Sequence, residues 1–88
     1  MSTVATVQEI KAINRELARQ INLEARANPH SPYAHKFVGI ANGQVVVVEN
    51  DHDEMITKLR RVEPDPSKCF GVEASRDYEE VHEIWGLN

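Results

Sequence analysis

The side chains of this 88-residue chain to weigh first as metal ligands are His30, His35, Asp51, His52, Asp53, Cys69 and His82. A structural zinc site needs four ligands, usually in closely spaced Cys or His pairs. This chain has one cysteine and contains no Cys-x-x-Cys, His-Glu-x-x-His or His-x-His pattern. The run Asp51-His52-Asp53-Glu54 has a simpler explanation at the start of a helix, where acidic side chains cap amides and complement the dipole. Nucleophilic chemistry would need Cys69 or a serine held by a histidine base, and the adjacency of Ser31 and His30 in sequence supplies no such geometry. Eleven of the fourteen acidic residues lie beyond residue 48, a crowd that singles out no acid–base pair. The four glycines, at 39, 43, 71 and 86, form no phosphate-cradling loop. The residue types therefore predict no metal, no cofactor and no enzymatic activity.

Two groups of cations offer a different chemistry. Lys11, Arg15 and Arg19 precede the first proline, and Lys58, Arg60 and Arg61 form a second group. Together they could face phosphates, but Glu16 and Glu24 interrupt the first group and the net charge is −4. Non-specific nucleic-acid binding depends on phosphate neutralisation, so a nucleic-acid-associated regulator is the secondary reading. A single cysteine excludes an intrachain disulfide framework and favours a reducing compartment. The first twenty residues carry acidic side chains and no apolar h-region, unlike a signal peptide. The longest apolar run, Val45–Val48, falls far below the roughly 18 residues of a membrane span. The expected setting is cytoplasmic, without membrane contact. Cys69, within the apolar run Cys-Phe-Gly-Val, is expected to be a buried structural residue.

The elements that would position these groups follow from periodicity. Val7, Ile10, Ile13, Leu17, Ile21 and Ala25 recur at spacings of three and four, which predicts one apolar helix face. Thr6 and Glu9 have capping-box spacing, and Pro29 stops the helix by driving Asn28 out of the helical region. A loop with Pro29 and Pro32 follows, so this helix could serve as an arm. Two strand-forming runs then flank Asn42-Gly43, the dipeptide best suited to a type I′ turn. The unbroken run Val45–Val48 predicts a strand buried on both faces, since a half-exposed strand should alternate. Asp51 and Glu54 predict another capping box, opening a helix whose Met55, Ile56, Leu59 and Val62 share a face. Residues 68–74 predict a third strand with a possible bulge at Gly71. If the second and third strands run parallel, the helix between them makes a crossover connection. Residues 77–85 predict a short helix carrying Tyr78, Val81, Ile84 and Trp85.

Residues 32–74 resemble a family of small uncharacterised prokaryotic proteins, here taken as bacterial. The motif is a Tyr-x-Gly-Lys opening, a strand, an Asn-Gly turn, a valine-rich strand, an amphipathic helix and a closing strand. Tyr33, Lys36, Val38, Asn42, Gly43 and Val45–Val48, with the helix at 51–62, match it. The chain departs at His35, where the motif has glycine. The resemblance implies a β-β-α-β unit and carries over no catalytic residue.

The sequence thus predicts a single α+β domain with a three-stranded sheet. Residues 1–28 form an N-terminal helical arm, 33–75 a β-β-α-β core and 76–88 a C-terminal helical lid. Its expected role is protein–protein interaction, most simply as a homodimer, through Ile10, Ile13, Leu17 and Ile21 with Trp85 in support.

Overall fold

The computed structural model describes residues 6–77. The lid at 76–88, with Trp85 and His82, lies almost wholly outside the described residues. Helix α1 spans Val7–Ala27, strand β1 Phe37–Ala41, strand β2 Gln44–Glu49, helix α2 His52–Val62 and strand β3 Cys69–Glu73. A single 3-10 turn, Pro66–Lys68, leads into β3. The chain has the expected α+β architecture with a three-stranded sheet. Among the described residues no helix is long and apolar enough to cross a membrane.

The strand order is β2-β1-β3 and both pairings are antiparallel. Strands β2 and β3 consequently run parallel to each other with β1 between them, and α2 connects them over one face. Asn42 and Gly43 turn the hairpin with φ of 52° and 79°, the positive values a type I′ turn requires. Gly71 is not a bulge. It pairs in continuous register with Gly39, and the bulge lies instead on β2, where Gly39 opposes Val47 and Ile40 opposes Val45. Val46 is the extra residue.

That bulge explains why the valine run is not buried on both faces. Val45 packs toward α1, whereas Val46 and Val47 both pack toward α2. Only Val47 is fully buried, and Val48 is 40% exposed on an edge strand. An unbroken apolar run can mark a central strand, but here it marks a strand whose alternation is reset by one inserted residue.

The first helix is packed on the sheet as part of the core. Ala18, Ile21 and Ala25 join Val38, Ile40, Val72 and Ala74 in one buried cluster. Thr6 and Glu9 close the expected capping box, and Asn28 takes the extended conformation before Pro29. The buried stripe is turned relative to the apolar pattern, running through Asn14, Ala18, Ile21, Asn22 and Ala25, while Val7 and Ile13 stay exposed. Two buried asparagines drive this rotation. Asn14 accepts from the Gly43 amide at 2.7 Å and donates to the Lys68 carbonyl at 2.9 Å. Asn22 donates to the Ala74 and Arg76 carbonyls at 2.8 and 2.7 Å. Each satisfies backbone groups at an end of the sheet, so burying it costs little. Ala18 and Ala25 let the helix approach between them.

The opposite sheet face holds a second cluster of Ala41, Val47, Met55 and Leu59. Asp51 caps α2 by accepting from the Glu54 amide at 3.0 Å, without the reciprocal bond that would complete a capping box. Met55 lies over Gly71 and Leu59 over Gly39, so this glycine pair forms the shallow seat of α2.

His35 has φ of 63°, in the left-handed region that costs a side-chain-bearing residue about 1–2 kcal/mol. Its amide donates to Ser75 Oγ at 2.8 Å, which holds the turn before β1. His35→Gly is expected to raise stability by about 1 kcal/mol, read as a higher midpoint in urea unfolding. An unchanged or lower midpoint would contradict that.

Candidate functional site

The groups that could do chemistry are dispersed. His30 and His35 are exposed in the loop, Asp51 is a helix cap, and His52 packs edge-on against Phe37 with ring centroids 5.7 Å apart. Among the described residues, no three His, Cys, Asp or Glu side chains gather where they could hold a metal ion. Cys69 is only partly buried, and its thiol points to the Glu63 and Asp65 carbonyls at 3.2 and 3.5 Å. Burial, reinforced by the charges of Glu63 and Asp65, pushes its pKa up. The thiolate a nucleophile needs is disfavoured there. A cleft of about 420 Å³ borders this thiol, with Ile56, Leu59, Arg60, Pro64 and Phe70 on its walls.

Glu63 ties the end of α2 to the hairpin. Its carboxylate accepts from Asn42 Nδ2 at 2.8 Å and from the Asp65 amide at 3.2 Å. The Asn42 bond, followed by the Asp65 amide, holds its pKa below the usual carboxylate range. A depressed carboxylate contributes stability that is present above its unfolded pKa and lost as pH falls through the folded value. Glu63→Gln is therefore expected to reduce the fall in stability between about pH 5 and about pH 2, followed by urea midpoints across that range. A slope identical to the parent would refute the role.

The six cations are not brought onto one surface. Lys11, Arg15 and Arg19 lie on α1 and Lys58, Arg60 and Arg61 on α2, and the two helices cover opposite sheet faces. Arg19 is engaged by Glu16 at 2.8 Å, and Lys58 by Glu49 on β2. Of the four apolar residues expected on the interacting face, Ile21 is buried, Ile10 and Leu17 are half-buried, and Ile13 is 51% exposed.

Of the large apolar side chains exposed among the described residues, Ile13 and Val48 lie beside β2, while Val7 and Leu23 are on α1 and Val62 is on α2. α1 lies mainly over β3, so its Ile13–Leu17–Gln20 flank, next to Gly43, borders a shallow apolar depression. Val48 stands exposed on the same sheet face, opposite Val38, at the far end of β2. β1 is the only strand paired with β2 among the described residues. Periodicity alone could not locate this surface, because it arises from the bulge and from the offset of α1 toward β3.

No family model matches the chain, and neither the curated proteins nor the solved structures contain a match to it.

Proposed function

We propose that this protein is a non-enzymatic interaction module, acting in the cytoplasm, that associates with copies of itself. The observation that carries this reading is the outer edge of β2, which no other strand among the described residues pairs, with Ile13 and Val48 exposed beside it. An unpaired strand edge is a template for another strand. Strand β2 contains no proline, and its protective features are the bulge and one charge at its end, Glu49, paired with Lys58. The dispersion of the histidines and the protonated state favoured for Cys69 agree with a role in assembly. Sedimentation equilibrium of the full chain is expected to show a mass that rises with concentration toward twice 10.0 kDa. A monomer persisting to about 1 mM, where only interactions weaker than about 4 kcal/mol escape detection, would contradict it.

A further inference from the structure

From the self-association reading, we infer that the partner of β2 is the β2 strand of a second copy, paired antiparallel about a two-fold axis between Val46 and Val47 to form a continuous six-stranded sheet.

The side chains of β2 are palindromic about that point. Val45 and Val48 face α1, as their packing and the Val38–Val48 pair show. Gln44, Val46, Val47 and Glu49 face α2, through packing, the Ala41–Gln44 pair and the reach of Lys58 to Glu49. A strand without a bulge would alternate, placing its first and sixth side chains on opposite faces. With the bulge, an antiparallel copy sets Gln44 against Glu49, Val45 against Val48 and Val46 against Val47. Every partner then lies on the same face of the joined sheet, as cross-strand pairs must. No like charges oppose each other.

The helix above the strand has the same centre. Leu59 lies over Gly39, the cross-strand partner of Val47, and Met55 over Gly71, the partner of Gly39. The middle of α2, at Thr57, therefore sits at the level of Val47. Helix α2 lies equally over β1 and β2. With strands about 4.8 Å apart, its axis stands about one strand spacing from the two-fold. Two copies of α2 would run antiparallel about 10 Å apart, the normal distance for packed helices.

The facing surfaces are complementary in charge. Asp53, Glu54, Lys58 and Arg61 share the exposed side of α2 toward β2. The two-fold brings the acidic first turn of each α2, Asp53 and Glu54, to Arg61 of the other, and Lys58 near the axis is neutralised by Glu49 of its own chain. On the opposite face, the exposed Val48 of each copy comes to Val45 of the other, on the side bordered by Ile13 and Leu17. An isologous C2 contact of this kind uses one self-complementary patch.

The test is a charge-reversal cycle read by sedimentation equilibrium at low salt, with circular dichroism confirming the fold of each surface variant. Glu54→Arg and Arg61→Glu are each expected to weaken the dimer about tenfold, since the symmetry sets two repulsive pairs against every single change. The double variant E54R/R61E is expected to return within about threefold of the parent. A dimer indifferent to both single changes, or weakened without restoration in the double variant, would overturn the β2 placement while leaving self-association standing. A parent that is monomeric throughout would overturn both.

Discussion

Asn14→Leu is expected to destabilise the fold by about 2–3 kcal/mol, although leucine is the more apolar residue and the site is 1% exposed. The carboxamide clamps the hairpin turn to the start of β3, accepting from the Gly43 amide and donating to the Lys68 carbonyl. Lys68 keeps a second partner in the Asn42 amide at 3.1 Å, so the larger loss falls on the Gly43 N–H. A leucine of similar size fills the space and offers neither bond. For a domain of this length, the change should lower the melting midpoint by about 10–20 °C. Changing the neighbouring, exposed Ala12 to Gln should stay within about 0.5 kcal/mol. Thermal unfolding of the two variants side by side separates a specific clamp from general sensitivity of α1. An Asn14→Leu protein as stable as the parent would show that the turn holds without it.

The second large effect is at the seat of α2. Gly39→Ala should cost about 1–3 kcal/mol, the usual penalty for overpacking a close-packed interior. A Cβ at Gly39 would stand 3.2 Å from both Leu59 Cδ1 and Val47 Cβ, with Leu59 Cδ2 at 3.3 Å. These neighbours are buried, and Val47 Cβ is tied directly to the β2 backbone. At Gly71 the nominal clash is closer, 2.9 Å to Met55 Cε. It involves the end of a flexible thioether chain that can swing aside, and Gly71 is itself exposed. Gly71→Ala should therefore cost less than Gly39→Ala despite the shorter distance. Urea midpoints of the two variants decide the order, and the reverse order would mean that α2 floats on the sheet.

Much of this architecture can be read from the sequence because its signals are local. Thr6, Asn42-Gly43, Asp51 and Pro29 each act on their own backbone or within a few residues, and each appears where the pattern places it. What the sequence hides is set by contacts between distant segments. The buried stripe of α1 is turned by two asparagines whose partners lie 29 to 54 residues away, which an apolar count reads as surface. The valine run reads as two-sided burial because nothing in four identical side chains announces a bulge at Val46. For the same reason Ile21 belongs to the core and Ile13 to the surface, though both fit one helical spacing. His35 is a further case, since its left-handed backbone angle is held by Ser75, 40 residues away.

The outer edge of β2, unpaired among the described residues, is the central element of this account, and amide hydrogen exchange of Gln44–Glu49 at two protein concentrations tests it most directly. Pairing between copies should slow the outward-facing amides of β2 as concentration rises, while those bonded to β1 hold a constant rate. Equal protection at both concentrations, in a protein whose mass still doubles, would place the contact on another surface.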